Sequence, residues 1–196
     1  MVEVHSCRDF RIGVEPRAGA LPWQNCARDL FSNRAALEVA DLDEALARLH
    51  SLAPTPPITL EHFAVDPCVV HSGIAYVSGQ VPFAGATPPR PGRIGADVSV
   101  EEGKDLAALC AANALYRLVH ALGSLAAVQR ILRVTVYINA VDLFDQQPLV
   151  ADGASRALVY VLGDRGRHVR AAVGVGSLTL GCAVEVELSA VVAQRL

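Results

Sequence analysis

The last quarter of the chain contains an arginine and a glutamate, Arg170 and Glu185, whose surroundings would suit them to chemistry. Arg170 stands among Ala, Val and Gly residues, where an unpaired guanidinium is costly. A guanidinium can bind a carboxylate through two parallel hydrogen bonds. A glutamate in mostly apolar surroundings has a raised pKa that suits proton transfer. Two interpretations stay open from this pattern: a structural ion pair between the two residues, or a site that binds a substrate carboxylate and moves protons.

The segments that carry these residues alternate between apolar and other side chains, as strands with two different faces do. In the second segment Val184, Val186 and Leu188 share one face, whereas Glu185 and Glu187 share the other. The link between the segments is short and bounded by glycines. The sequence therefore predicts an antiparallel hairpin that would place the arginine and the first glutamate on neighbouring strands.

Three nearby residues are interpreted as structural. We expect His168 to be a turn or interface histidine rather than a base, and Glu187 to pair with an arginine such as Arg133. No base is evident beside Cys182, so its thiol is interpreted as inert.

The elements that must position these residues follow from hydrophobic periodicity and from helix-end signals. Ser99 stands three positions before Glu102, which is the spacing of a capping box, and Gly123 is suited to end the helix that follows. The pattern predicts, in order, a short helix over 41–52, two strands over 68–79, a long helix from Ser99 to Leu122, a strand over 128–141, a second long helix from about Asp145 to Gly163, and the two terminal strands.

This order predicts an α+β fold, a mixed β-sheet with two long helices on one face. The other face would carry too many Val and Ile residues to stay in water, so we expect self-association through the sheet, most simply as a closed ring.

Length, charge and cysteine content limit the class of protein. With 196 residues, 52% of them hydrophobic, the chain is one globular domain or a domain with an extension. A formal net charge of -3 disfavours a nucleic-acid partner. Five scattered cysteines argue against a disulfide framework and against a zinc site. Neither a signal peptide nor an apolar run of about 18 residues is read, so we expect a cytoplasmic protein with no membrane partner.

Several segments together resemble one known family. The chain resembles the RidA family, also called the YjgF or endoribonuclease L-PSP family, and in particular its larger chorismate-mutase-like branch. The resemblance covers roughly Asp43 to Val192, so we interpret residues 1–42 as an N-terminal extension, a partly ordered arm, and 43–196 as the RidA-like domain. The segments that carry it are Tyr76–Pro82, Gly95–Gly103, Asp152–Ser155, Gly166–Val175 and Val184–Glu187.

The resemblance implies a chorismate-mutase-like fold assembled as a barrel-like homotrimer, with sheets inside, helices outside and three clefts at subunit boundaries. It also implies hydrolysis of reactive enamine or imine intermediates of amino acids to a keto acid and ammonia, without metal or cofactor. Carried across, Arg170 matches the carboxylate-binding arginine and Glu185 the water-activating acid. Ser78 and Gly79 match residues that line the cleft, and Ala172 matches a position that contacts the ligand through its backbone.

Three positions depart from the family pattern. Asp152 stands where the family often has asparagine, and a carboxylate there would repel a carboxylate substrate unless it were protonated. Phe63 lies nearest to an expected tyrosine and has no hydroxyl, and Ala172 replaces a cysteine. These departures keep two alternatives open, a trimer that binds small carboxylates without catalysis and a dedicated enzyme of a biosynthetic pathway. A ribonuclease ranks below both, because it would need a basic, aromatic groove and only 5% of the residues are aromatic.

Overall fold

The computed structural model describes residues 42–57 and 64–193, which form three helices and five strands joined by loops and short 3-10 turns. Phe63 and nearly all of the predicted N-terminal arm therefore lie outside the described residues. The helices are α1 (Leu42–Leu52), α2 (Val100–Leu122) and α3 (Gln147–Leu162), and the strands are β1 (Cys68–His71), β2 (Ile74–Gln80), β3 (Val128–Asn139), β4 (Val169–Val175) and β5 (Val184–Val192). The predicted order of elements from the first strand to the last is confirmed.

The helix ends show why these segments are helical. The Ser99 side chain accepts from the backbone N–H of Glu102, and the Glu102 carboxylate accepts from the backbone N–H of Ser99, so the predicted capping box is confirmed. Gly123 ends α2 in the left-handed conformation, with φ of 82°, which a residue without a side chain adopts at little cost.

The five strands form one mixed sheet in the order β1-β2-β5-β3-β4. β3 and β4 are parallel and are connected through α3, whereas the other neighbours are antiparallel. β2 and β3 are connected through α2, and β5 lies between them. The mixed α+β fold predicted from the sequence is confirmed in this respect, and β4 is an edge strand of the described sheet.

The predicted terminal hairpin is wrong, because β3 lies between β4 and β5. The link over 176–183 crosses the end of β3, where the Asn139 backbone N–H donates to the Ala183 carbonyl at 2.9 Å. Eight residues can span two strand spacings of about 4.8 Å, whereas a tight hairpin turn would join adjacent strands. Alternation shows that a segment is a strand, but it does not show which strand is its neighbour.

The two faces of the sheet differ in what covers them. Val134, Val136 and Ile138 of β3 are fully buried in the core cluster to which α2 and α3 contribute. The uncovered face, which we call the open face, is more polar than predicted, since Tyr137 and Glu185 lie on it in direct register. The open face carries β3 residues 133, 135, 137 and 139, β5 residues 185, 187, 189 and 191, and their neighbours in the other strands.

The expectation that the open face carries Val residues exposed to water is confirmed for the outer strands, since Val69 of β1 and Val169 and Val173 of β4 are 47%, 68% and 38% exposed there. The Val and Ile residues of β3 are instead fully buried. Among the described residues, no helix has the length and apolar character that crossing a membrane requires.

Candidate functional site

Arg170 lies on edge strand β4 and points towards α3. It pairs in register with Val134, a residue of the helix-covered face. Its guanidinium Nη1 donates to Asp152 Oδ1 at 2.9 Å and to Ser155 Oγ at 3.0 Å. Its Nη2 donates to the Pro148 carbonyl at 3.2 Å. Asp152 and Ser155 are three positions apart on α3, so one face of the helix presents both to the arginine.

The guanidinium keeps donors for a ligand despite these contacts. An arginine has five N–H donors, and the described residues use two on Nη1 and one on Nη2. The N–H of Nε and the second N–H of Nη2 have no acceptor among the described residues. Nε and Nη2 share one edge of the guanidinium, and 22% of the Arg170 side chain is exposed to solvent. These two N–H groups can therefore donate to a carboxylate.

A glycine fixes the helix that holds the arginine. A Cβ atom on Gly153 would lie 1.9 Å from the carbonyl oxygen of Lys104 on α2, far inside van der Waals contact. The two helices can therefore approach closely only with glycine at this position. Asp152 and Ser155 are held in place by a helix that is itself packed tightly.

Glu185 lies at the start of β5, on the open face, next to Tyr137 in register. Its carboxylate lies over the backbone of Gly79, where an added Cβ would be 1.8 Å from Glu185 Oε1. Burial raises the pKa of Glu185, and the nearby charge of Glu187 raises it further. A half-buried carboxyl with a raised pKa and without an ion-pair partner among the described residues is suited to proton transfer.

Glu187 has a different partner from the one predicted. Its carboxylate accepts from the Tyr137 hydroxyl at 3.0 Å, and the described ion pairs do not include one with Arg133. Burial raises the pKa of Tyr137, and the hydrogen bond and charge of Glu187 add to this effect. The phenol therefore stays protonated near neutral pH and keeps Glu187 in place beside Glu185.

The structure separates the two predicted catalytic residues within one chain. Arg170 is on the helix-covered face of β4, Glu185 is on the open face of β5, and β3 runs between them. The hypothesis of a structural ion pair between Arg170 and Glu185 is therefore wrong. Arg170 pairs with Asp152 instead.

The other predicted site residues fall on both sides of this division. Gly79 is next to Glu185, and Ser78 precedes it in β2 with its hydroxyl 3.3 Å from the Pro67 carbonyl. Ala172 follows Arg170 on the same face of β4, whose outer edge pairs with no strand in the described part of the chain. Phe63 lies outside the described residues.

The thiol beside this site is not a ready nucleophile. Cys182 is fully buried, and burial, with a contribution from the charge of Glu185, raises the pKa of its thiol to about 11. The thiol therefore stays protonated near neutral pH, which agrees with the interpretation that it is inert.

Sequence reasoning did not find Ser155, His168 or Tyr137 as partners of the candidate residues. Ser155 Oγ lies 3.0 Å from His168 Nε2 as well as next to Arg170. A signal was available for the serine, because it follows Asp152 by three positions on a predicted helix. The contact of Tyr137 with Glu187 depends on strand order, which the sequence pattern did not provide.

Comparison with known proteins agrees with this architecture. Residues 56–191 match the model of the family described as "YjgF/chorismate mutase-like, putative endoribonuclease". The chain belongs to this family. The YjgF-like match covers every strand except the last residue of β5, together with both long helices.

Individual relatives of the YjgF-like chain support the assignment. The protein TCP17 of Trypanosoma cruzi is 40% identical over 113 residues, which are 57% of this chain and 71% of that protein. The crystal structure of Atu1372 from Agrobacterium tumefaciens, a protein of unknown function, is 34% identical, with a TM-score of 0.71 over 78% of this chain and 95% of that one. The crystal structure of a protein from Shewanella oneidensis, called a putative endoribonuclease, is 28% identical. It has a TM-score of 0.68 over 76% of this chain and 99% of that one.

Proposed function

We propose that this YjgF-like protein hydrolyses the reactive 2-imino acids that arise from amino acids, or their enamine tautomers, to a keto acid and ammonia. Arg170 binds the substrate carboxylate, and Glu185 activates the water. The observation that carries the proposal is the Arg170 guanidinium, which keeps two N–H donors after its contacts with the described residues of α3. Two remaining donors match the two oxygens of a carboxylate.

The proposed reaction needs one anchor and one proton carrier. Water adds to the imine carbon while the Glu185 carboxylate takes its proton, and the C=N electron pair moves to nitrogen. The carboxyl returns this proton to the nitrogen, which gives a carbinolamine. Glu185 then transfers the hydroxyl proton to the same nitrogen, the oxygen forms the C=O bond, and the C–N bond breaks with its electron pair leaving on ammonia. The anchor contributes about 1.5–3 kcal/mol as a charge-assisted hydrogen-bonded pair. Proton transfer by a positioned side chain contributes roughly 10²–10⁴ in rate.

One chain alone does not bring the anchor and the proton carrier to the same small molecule. Arg170 and Glu185 lie on opposite faces of the sheet with β3 between them. We therefore propose that each site takes Arg170 from one copy and Glu185 from another, in a homotrimer with clefts at its subunit boundaries. Apolar side chains on the open face favour burial by a second copy, since Val69 is 47%, Tyr76 53% and Val173 38% exposed.

The remaining predicted residues have supporting roles in this proposal. Ser78 and Gly79 would line the cleft beside Glu185, and Ala172 would contact the ligand through its backbone. Asp152 would lie beside the bound carboxylate, and the substrate-binding role predicted for Phe63 is part of the same proposal. That residues 43–196 form the catalytic domain, with 1–42 as an extension, is part of the same proposal.

Complementation between two inactive variants tests the shared site. Arg170→Ala and Glu185→Gln chains are co-expressed in equal amounts, 2-imino acid is generated in place by an amino-acid oxidase, and the decay of the imine and release of ammonia are followed. In a ring whose sites each use one residue from two copies, about one quarter of the sites regain both groups. Recovery of about that fraction of wild-type activity supports the proposal.

A variant in the turn before β4 is the control for this experiment. Arg167→Ala removes an arginine from the turn before β4, where it pairs with Asp164 at 2.9 Å, and should leave the activity unchanged. If the mixed oligomers are as inactive as each variant alone, the site is not shared between copies. If the wild-type protein does not accelerate imine decay, the proposed deaminase activity is wrong.

A second function, binding of a small carboxylate without catalysis, is favoured by the Asp152 contact. The Asp152 carboxylate already neutralises much of the Arg170 charge, at a distance of 2.9 Å. A binding protein would take up pyruvate without accelerating imine decay. The same assay, accompanied by calorimetric titration with pyruvate, therefore distinguishes the two functions.

A further inference from the structure

A chain of hydrogen bonds leads from Arg170 to the turn before β4. The Arg170 Nη1 donates to Ser155 Oγ at 3.0 Å, and this oxygen is 3.0 Å from His168 Nε2. The other ring nitrogen of His168, Nδ1, is 2.6 Å from the carbonyl oxygen of Gly166. Ser155 therefore links the guanidinium to the imidazole, and the backbone of the turn holds the imidazole.

The groups at the two ends fix the direction of these bonds, because the guanidinium of Arg170 can only donate and the carbonyl of Gly166 can only accept. A backbone carbonyl can only accept, so Nδ1 of His168 carries a hydrogen and donates it to Gly166. In the neutral imidazole Nε2 is then an acceptor, and the hydroxyl of Ser155 donates to it. Ser155 therefore accepts from Arg170 while it donates to the neutral imidazole of His168. When the imidazole is protonated, Nε2 donates instead to the second lone pair of the same oxygen, and the contact with Arg170 is kept.

The charge of Arg170 acts on the protonation of His168. Burial is the main cause that lowers the pKa of His168, the Gly166 hydrogen bond opposes it, and the nearby positive charge of Arg170 lowers it further. Arg170 is the charged group whose effect on the pKa of His168 is resolved. Of the other charged groups on the adjoining elements, Asp152 of α3 binds Arg170 and Asp164 pairs with Arg167. Arg165 donates to two backbone carbonyls, Arg133 of β3 lies on the open face, and Arg156 of α3 follows Ser155.

We propose that His168, acting through Ser155, is a positioning residue for the Arg170 guanidinium, and that anion binding at Arg170 is coupled to proton uptake by His168. The inference rests on the proposed function only in its use of Arg170 as the carboxylate anchor. A carboxylate bound to the guanidinium offsets the positive charge that disfavours the protonated imidazole. Binding and protonation therefore assist each other.

Thermodynamic linkage makes the proposal quantitative. The factor by which pyruvate strengthens proton binding at His168 must equal the factor by which protonation of His168 strengthens pyruvate binding. Pyruvate stays ionised between pH 5 and 8, so its own titration does not contribute to the change. A histidine that only supported the fold would show neither factor.

The experiment follows His168 by NMR in the full chain, with ¹³C-labelled histidine and pyruvate as the probe. We expect saturating pyruvate to raise the pKa of His168, and calorimetry to show pyruvate affinity increasing by the same factor as the pH falls through that range. The signal of His120, which is exposed at the end of α2, should not respond to pyruvate and serves as the internal reference.

Variants separate the chain of contacts from general damage to the fold. Ser155→Ala should weaken pyruvate binding and reduce its pH dependence, because the hydroxyl that holds the guanidinium beside His168 is lost, whereas Ser155→Thr, which keeps the hydroxyl, should restore both. Without any ligand, Arg170→Gln should raise the pKa of His168, because the neighbouring positive charge is lost. An unchanged pKa of His168 in Arg170→Gln overturns the coupling independently of any ligand.

The outcomes also distinguish this inference from the proposed function. If pyruvate binds through Arg170 but the pKa of His168 does not move, the coupling is overturned and the deaminase proposal stands. If the wild-type protein does not bind pyruvate at all, the carboxylate anchor is refuted and the coupling is overturned with it.

Discussion

The region around Arg170 and the region around Glu185 differ in how completely one chain organises them. The guanidinium has three internal acceptors, and a helix packed through Gly153 supplies two of the side chains around it. Glu185 has no ion-pair partner among the described residues. It lies on an uncovered sheet face, beside a second carboxylate and over a glycine.

This difference shows which half of the candidate site is preorganised. The fold stabilises the arginine in one place before any ligand binds, which reduces the cost of ordering it later. The pKa of Glu185 is instead raised, mainly by burial and then by the charge of Glu187. The fold therefore disfavours the ionised form of this carboxyl. In the proposed site, the chain therefore holds the anchor, Arg170, by itself, whereas the proposed proton carrier, Glu185, would be completed by another copy.

The largest effect should come from displacing the Glu185 carboxylate without changing its chemistry. A Cβ on Gly79 would collide with Glu185 Oε1 at 1.8 Å, so Gly79→Ala must move the end of that flexible side chain. Misplacement of a catalytic group by about 1 Å can reduce the rate by about 100-fold. We expect imine hydrolysis to fall by up to this factor, as measured by ammonia release, with the melting temperature nearly unchanged.

Gly176→Ala is the matched control, because a Cβ at Gly176 would have no heavy atom within 4 Å. It should leave both activity and melting temperature unchanged. Full activity of Gly79→Ala would mean that the position of the Glu185 carboxylate does not matter for the reaction.

The sequence was sufficient for the elements but not for their order in the sheet. The Ser99 capping box and Gly123 determine the ends of α2 through local contacts, so both could be predicted. The neighbour of β4 is determined by the connection through α3 and by insertion of β5 beside β3, which are interactions distant in sequence. For this reason a local pattern suggested a hairpin that does not exist.

The same limit applies to the site. Arg170 could be selected because a charged residue in an apolar strand needs a partner. Its actual partner, Asp152, lies 18 positions away on a helix, and the separation of Arg170 from Glu185 depends on strand order. The residue types were therefore readable from the sequence, whereas their grouping required the fold.

A smaller effect should follow from changing the preorganised half. Asp152 places a carboxylate 2.9 Å from the guanidinium that would bind the ligand carboxylate. Asp152→Asn keeps an oxygen that can accept from Arg170 and removes the negative charge. A partly exposed charge interaction of this kind contributes about 1 kcal/mol, so pyruvate should bind about fivefold more tightly by calorimetric titration.

Asp164→Asn, which alters the exposed ion pair with Arg167, is the control and should not change pyruvate affinity. Weaker binding in Asp152→Asn would contradict the idea that Asp152 competes with the ligand. It would show instead that the charge of Asp152 is needed to position the arginine.

The smallest effect, on stability, contrasts two glutamates with opposite pKa shifts. The pKa of Glu185 is raised above its ordinary value of 4.5, so the folded protein binds more protons there than the unfolded chain does. The free energy of unfolding of the wild-type protein therefore falls, relative to that of Glu185→Gln, as the pH rises from below 4.5 through the pKa of Glu185 in the folded protein. The pKa of Glu102 is lowered, chiefly by its hydrogen bond to the Ser99 backbone, so its ionised form stabilises the fold above pH 4.5.

Urea denaturation at a series of pH values checks both signs in one experiment. At neutral pH, Glu185→Gln should be more stable than the wild-type protein and Glu102→Gln less stable, and both differences should shrink as the pH falls below the ordinary value of 4.5. Glutamine can retain the hydrogen bonds of the capping box, so the second variant tests the charge alone. If the free energy of unfolding depended on pH in the same way in the two variants, the fold would not disfavour the ionised form of Glu185. The contrast between a preorganised anchor and an unsatisfied proton carrier would then no longer hold.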